Sequence, residues 1–386
     1  MSSPTDSWFA TELFKIKGRE PIIDTGVLLG CPLWGEAFIE TFSRYCIPTL
    51  LAPANLKALL ALNARIVIFT PTEDFLSVFK KTGPLERAGL RVQLMALPRE
   101  LVPDSDAKRK SPKEPVYRTL GAVQNLTLQM AAHAGQGYHF FVPDHTYSDR
   151  YFEAMAEQAG KGVDAIAHGA VSIDMEDAKA ELETFRQGGA LAIPARKLGD
   201  IGSRHLHQQM QASVMNAAEG VMPVSQTVIW RGRDALHFAG PIFNPVWLSP
   251  RLTRQAPVCY PTTLDAELPR LMPSGFDIPG PDAEMVFAEL SDKKTKPPVS
   301  RTNRDIWQAV AWIQMNFDNS YLSVMRRRTL IPTEPNAEGL ADDEIERQHA
   351  ELCDSLPACK LQAFELYHGR QMRRLRPFTR DEETAL

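Results

Sequence analysis

The sequence predicts an α/β protein: a Rossmann-like, mostly parallel sheet flanked by helices, followed by a C-terminal helical extension. Three observations carry that expectation. From residue 20 to residue 190 short apolar runs alternate with helical patterns, the order that builds parallel strands joined by right-handed crossovers. The runs end abruptly in turn formers and polar groups, as strands covered on both faces do. Beyond Asp292–Pro298 (Asp-Lys-Lys-Thr-Lys-Pro-Pro), which reads as an exposed linker with a boundary near residue 295, the pattern is helical.

The first strand is read at Gly26–Cys31, closing on Pro32-Leu33-Trp34-Gly35, and a helix from Glu36 to about Leu51 is expected to be broken by Pro48 and Pro53. A short helix over Asn55–Leu62 leads to a strand at Arg65–Thr70, whose exit is Pro71-Thr72-Glu73-Asp74. Phe75–Lys81 reads as a helix and Arg91–Leu97 as the third strand. Pro98–Pro115 reads as a charged loop, long enough to be mobile over a site. Tyr117–Ala134 is an amphipathic helix stopped by Gly135-Gln136-Gly137. Then comes Phe140-Phe141-Val142, a buried strand that delivers Pro143-Asp144-His145 to its own exit, with Ser148 or Asp149 as the cap of a helix at Arg150–Gly160. An apolar segment at Val163–Ile173 and a helix at Met175–Arg186 close this half. A helix at Ile201–Ala218 and a hairpin of Thr227–Arg231 with Ala235–Ala239 open a more antiparallel region. Thr302–Arg328 and Asp342–Arg376 are helical, and their apolar faces need cover from the α/β domain or from a second copy of the chain, which makes a homo-oligomer an expectation. Trp307, Trp312 and Met315 fall on the first of these helices, where core packing is the simple reading.

Composition restricts the partner. With 386 residues, 44% hydrophobic, 23% charged and a net charge of −4, the chain has a substantial core and no basic footprint for nucleic acid. Met1–Ser7 shows no leader pattern and no transmembrane run is present, so a soluble cytoplasmic protein is expected. Five dispersed cysteines imply neither a disulfide framework nor a zinc knuckle. The Gly-x-Gly-x-x-Gly, P-loop, Gly-x-Ser-x-Gly and His-Glu-x-x-His motifs are all missing, which removes most support for dinucleotide redox chemistry, P-loop phosphoryl transfer, triad hydrolysis and zinc proteolysis.

Strand exits remain as the candidates for chemistry, because α/β sheets bind ligands outside the carboxyl ends of their strands. They carry Trp34, Asp74, and Asp144 with His145, and two later segments carry His237 and Thr262-Thr263-Leu264-Asp265-Ala266-Glu267. Asp144, His145 and Asp149 have the oxygen and imidazole donors that suit magnesium or manganese. His205 and His207, two apart on an expected helix, point to different faces and cannot share one ion.

Taken in order, Gly30-Cys31-Pro32-Leu33-Trp34-Gly35, Phe69-Thr70-Pro71-Thr72-Glu73-Asp74, the Phe141–Asp149 run, His237 and the Thr-x-x-Asp-x-Glu segment resemble the nucleotide-sugar glycosyltransferases of the A fold, more narrowly a group of bacterial proteins of that type. The resemblance covers roughly residues 22–290. It implies a nucleotide-sugar-binding half (20–190), an acceptor-side half of the same catalytic domain (191–295) and the helical extension (296–386). It further implies Leu33 and Trp34 as donor-pocket wall, Asp74 as nucleoside contact, Asp144 as metal or diphosphate ligand, and a tentative divalent metal (Mn or Mg) whose shell His145, Asp149 or the distant His237 would complete, or an enzyme that works without metal. The partners it implies are a nucleotide-diphosphate sugar and an acceptor. Asp265 and Glu267, on one side of an extended segment, are the candidate catalytic bases. Asp144-His145-Thr146 lacks the second acid of the family's Asp-x-Asp, so a catalytically decayed scaffold that only binds is the alternative reading.

Overall fold

The computed structural model describes residues 3–20, 25–102, 114–211, 213–215, 227–240, 244–258, 263, 284–292 and 325–358. The strands, in chain order, are β1 (Val27–Pro32), β2 (Arg65–Thr70), β3 (Arg91–Ala96), β4 (Gly137–Phe140), β5 (His145–Tyr147), β6 (Ala165–His168), β7 (Val171–Asp174), β8 (Arg186–Gln187), β9 (Ala190–Leu191), β10 (Val228–Arg231), β11 (Ala235–Ala239), β12 (Asn244–Leu248), β13 (Phe287–Ser291) and β14 (Thr329–Pro332). The principal sheet has six strands in the order β3-β2-β1-β4-β12-β6. β1, β2, β3 and β4 run parallel, and β12 is antiparallel to both of its neighbours. The expected mostly parallel sheet is therefore present.

Every residue of β1 is buried, because successive side chains point to opposite faces and both faces are covered. Val27, Leu29 and Cys31 pack with Ile66 and Ile68 against the helices of residues 36–61 and Tyr151–Gly160. Leu28, Val67, Phe69 and Tyr138 pack instead against the helix Glu114–Ala134. Gly30 is what lets that long helix lie so close: a Cβ there would collide with the Thr127 side chain. A helix at Pro4–Lys17, which the sequence pattern did not announce, adds to this layer, with a Ser3/Asp6 capping box at its start, Phe9 buried and Asp6 paired to Arg118 at 2.5 Å.

Several elements differ from expectation for physical reasons. Pro48 does not end the second helix. The path runs through Glu36–Thr41, a π segment Phe42–Cys46 and Ile47–Leu50, and the wider π turn, with Ile47 N–H donating to Phe42 O, carries the chain past the proline. Pro53 starts the next helix, Pro53–Ala61, at the first position, where a missing N–H costs nothing. The helix from Phe75 extends to Arg87. Neither Ser148 nor Asp149 caps Tyr151–Gly160: the cap residue is Arg150 at φ 69° with no side-chain bond, and Ser148 Oγ is spent donating to Glu284 O at 2.8 Å. The Val163–Ile173 segment splits into β6 and β7, which belong to different sheets. The helix expected at Ile201–Ala218 lies earlier, at Ala195–Arg204, so His205 and His207 follow its end; a short helix, Gln208–Gln211, comes after them.

Two three-stranded sheets complete the fold. In one, β13 lies between β5 (antiparallel) and β7 (parallel). In the other, the expected β10/β11 hairpin forms and β14 adds to β11. Residues beyond 295 are therefore not all helical: β14 joins the sheet of the preceding region, and the helix Asp342–Ala358 lays Ile345 and Leu352 into buried positions. Of the two helices expected there, residues 302–324 and 359–376 lie outside the described residues, with Trp307, Trp312 and Met315. No helix among the described residues is long and apolar enough to cross a membrane.

Candidate functional site

A cavity of about 370 Å³ opens where β1 and β4 end. Pro32, Trp34 and Phe38 line it from the β1 side, and Phe140, Val142 and Pro143 from the β4 side. The helix Glu114–Ala134 contributes Val116, Tyr117 and Leu120. Its polar wall holds Asp144, His145, Thr263 and Glu289. Apolar rings with a few convergent polar groups are the usual make-up of a small-molecule site, and the place is the one that parallel sheets use.

The polar wall is built by pairing β5 with β13. Leu290 N–H donates to Asp144 O at 2.9 Å, and Glu289 stands directly across from His145. Glu289 is thus a second carboxylate beside Asp144, supplied by a strand far down the chain and not by the next acid in sequence. Burial, and then the charge of Glu289, push the Asp144 carboxyl up to about 8. Asp144 therefore holds its proton at neutral pH.

His145 is 2% exposed, with its ring 4.8 Å from that of Phe287 and its Nδ1 3.1 Å from the Tyr147 hydroxyl. Burial and the neighbouring His139 hold it well below the ordinary histidine range, so it is neutral. Behind it Cys31 and Cys46 are buried free thiols, and burial raises both. A thiol held protonated is no nucleophile.

Asp74 does not line the cavity. Its Oδ2 accepts the Gly35 N–H at 3.2 Å, tying the exit of β2 to the exit of β1, and Gly35 at φ 77° is the turn that Trp34 precedes. Leu33 is fully buried behind Trp34, its N–H donating to Phe69 O at 2.9 Å. His237 is on β11, in a different sheet from Asp144, with Nε2 3.7 Å from Asp342 Oδ1; burial lowers it to about 4. The structure therefore brings Trp34, Asp144 and His145 together and sets His237 elsewhere. Asp149 Oδ1 is buried without a hydrogen-bond partner, and its N–H donates to Ile193 O at 2.7 Å, away from the cavity wall. Asp265 and Glu267 lie outside the described residues, although Thr263 of the same segment lines the cavity. So does the charged stretch 103–113.

Among the described residues no group of three His, Cys, Asp or Glu side chains is arranged to hold a metal ion. Two carboxylates are nonetheless a fitting partial set for magnesium or manganese, which keep several water or phosphate oxygens of their own. Glu289 had one signal in the sequence: a lone acid inside the apolar run Met285-Val286-Phe287-Ala288-Glu289-Leu290. A charge in a buried strand needs a reason.

No protein-family model matches the sequence, and no curated protein sequence matches it. Among solved structures, that of S. aureus TarS 1–349 matches at 10% identity and a TM-score of 0.30, over 78% of this chain and 69% of that one. The same protein in complex with UDP matches at a TM-score of 0.30 over 78% of this chain and 70% of that one, also at 10% identity. Core-mannan synthase A of Aspergillus fumigatus, in a Mn/GDP form, matches at 8% identity and a TM-score of 0.25, over 43% of this chain and 50% of that one. Likeness this slight decides nothing about chemistry, and the cavity's own residues carry that argument.

Proposed function

We propose that this chain is a glycosyltransferase that moves a sugar from a nucleotide-diphosphate donor to an acceptor hydroxyl, with the cavity between Trp34 and Glu289 as its donor site. The observation that carries the reading is the Asp144–Glu289 pair, Asp144 just beyond the end of the parallel strand β4 and Glu289 within β13, facing an aromatic wall. Trp34 and Tyr117 offer flat apolar surface for a base or sugar ring. Asp144 and Glu289 are the residues that would hold a divalent cation, whose chemistry in this place is neutralising the charge that develops on the leaving diphosphate. The protein's own task is to orient the donor and exclude water around it, for which the buried β5/β13 wall is suited. Asp265 and Glu267 remain the candidate bases for the acceptor hydroxyl.

Calorimetric titration with a panel of nucleoside diphosphates, with and without manganese, tests this. Metal-dependent binding that is lost in both Asp144→Asn and Glu289→Gln supports a donor site. Binding of equal strength with and without metal, and in both variants, removes the carboxylate pair from the mechanism. Binding without sugar transfer to any acceptor favours the scaffold reading.

A further inference from the structure

Behind the cavity a chain of hydrogen bonds links a backbone carbonyl to His145, and its direction is set at the carbonyl end. His139 Nδ1 lies 2.5 Å from Val246 O. A carbonyl only accepts, so Nδ1 carries the ring proton and Nε2 of the neutral ring is an acceptor. The Tyr147 hydroxyl stands between the two imidazoles, 3.4 Å from His139 Nε2 and 3.1 Å from His145 Nδ1. Its one proton goes to His139 Nε2, and its oxygen then accepts from His145 Nδ1–H. Turned the other way, the hydroxyl oxygen would face the lone pair of His139 Nε2 and the chain would break. Tyr147 is fully buried, where a broken hydrogen bond is costly. Packing holds the rings in place: His139 lies 5.2 Å from the Phe152 ring, and His145 lies 4.8 Å from that of Phe287 and 5.8 Å from that of Phe140.

We infer that His145 is held as its Nδ1–H tautomer and that its bare Nε2 accepts a hydrogen bond from a ligand hydroxyl in the cavity, beside the Glu289 carboxylate. The two ring nitrogens point away from each other. With Nδ1 turned back to Tyr147, Nε2 is the one left for the cavity that His145 lines. Cross-strand partners in an antiparallel pair share a face, and His145 with Glu289 is such a pair, both on the cavity wall. Two acceptors side by side select a group that brings protons, as hydroxyls do and the oxygens of an ionised diphosphate do not. A carboxylate has lone pairs enough to take a hydroxyl and a cation together. In the proposed donor site, on which this ligand class rests, the hydroxyl sits on a sugar ring, either the nucleoside's ribose or the sugar to be transferred. Tyr147 and His139 are then positioning residues that never touch the ligand, and His145 is a specificity contact and not a metal ligand.

The tautomer is tested without any ligand. In the full-length protein with 15N-labelled histidine, long-range proton–nitrogen correlation spectra at neutral pH read the tautomer of each ring. His145→Asn assigns the His145 signals, as do, in the unaltered protein, its contacts with the Phe287 and Tyr147 rings. Both His139 and His145 should be Nδ1–H, the form that free histidine disfavours, and Tyr147→Phe should move His145 toward Nε2–H. An Nε2–H pattern for His145 in the unaltered protein overturns the inference whether or not the variant folds, as does unchanged Nδ1–H in a folded Tyr147→Phe. The ligand class is tested by adding magnesium alone, then magnesium with pyrophosphate, nucleoside diphosphates, their 2′,3′-dideoxy counterparts and nucleoside diphosphate sugars. The His145 Nε2 resonance should stay in place with magnesium and pyrophosphate. Movement with a nucleoside diphosphate but not its dideoxy counterpart supports the inference and assigns the hydroxyl to ribose; movement only with the sugar-bearing ligands supports it and assigns the hydroxyl to the donor sugar. Movement with magnesium or pyrophosphate, or equal movement with the dideoxy compounds, overturns the hydroxyl contact. Calorimetry on the same samples separates the two readings. Nucleotide that binds without moving His145 overturns the contact and leaves the donor site standing, whereas no binding at all removes the donor site and the ligand class with it, and the tautomer result stands by itself.

Discussion

Two regions of this molecule place histidines and acids side by side, and they use them differently. On the β5/β13 wall, Asp144, His145 and Glu289 share one cavity, with neutral His145 anchored only from behind. On the β10-β11-β14 sheet the polar groups look inward to the helix Asp342–Ala358: Trp230 Nε1–H donates to Gln348 Oε1 at 2.8 Å, Arg328 pairs with Glu346, His349 Nε2 donates to Met325 O at 2.8 Å, and His237 lies by Asp342. Residue type does not separate a site from a strut. What separates them is where the polar groups face: on the wall they line a cavity, on the strut they are packed within the protein against the helix.

If that contrast is right, substitutions on the wall change binding and those on the strut change stability. The largest effect is expected from Asp144→Asn, a loss on the order of 2–4 kcal/mol of transition-state stabilisation, measured as kcat/KM once an acceptor is in hand or as nucleotide affinity before that. The same variant has a stability signature. Asp144 holds its proton up to about 8 when folded and only to about 4 when unfolded, so the native protein loses stability through this group as pH rises across that window. Asp144→Asn should therefore melt higher than the unaltered protein at pH 8 and show little difference near pH 4. A variant that melts identically at both values refutes the buried, charge-opposed carboxyl.

Trp34→Ala comes next, with about 1–2 kcal/mol of nucleotide affinity lost, and because Trp34 is only half-buried at the edge of the core that Leu28 and Phe69 share, its cost in stability should be smaller than that of a fully buried tryptophan. On the strut, Trp230→Phe should cost about 1 kcal/mol of stability by leaving Gln348 without its donor, while nucleotide affinity stays the same in calorimetry. The smallest effect is expected from His237→Gln. His237 is lowered to about 4 by burial, so the unfolded chain binds more protons between that value and about 6.5, and stability falls as pH drops through the window. The variant should lose less stability than the unaltered protein between pH 7 and pH 5. An equal loss in both would show that His237 is not a buried neutral group.

The parallel part of the sheet was legible because covered strands are written as short apolar runs, and Asp144 because such a run ends on it. Glu289 was not, since its partner is chosen by β5/β13 pairing and no local pattern announces a contact so remote in sequence. The order of β12 was hidden for a similar reason. Pro245 has no N–H to give to a ladder, and the register shift between Pro245 and Trp247 accommodates it. The π segment at Phe42–Cys46 hid in a proline rule that holds for ordinary helices. His237 entered the expected metal shell by resemblance, and the residues that carry a resemblance hold no information about which sheet a strand joins.

The late arrival of β12 has a consequence for how the chain is made. β4 and β6 leave the ribosome well before Asn244–Leu248, and until that strand inserts between them each keeps a row of unpaired backbone groups. Gly137 sets the geometry of that insertion, because any Cβ there would strike the indole of Trp247. The nascent sheet is thus an open template during synthesis, its closure a long-range step of the kind that slows folding and exposes edges to other chains. A Gly137→Ala chain should reveal this as aggregation during expression, well before any defect in the finished protein is tested.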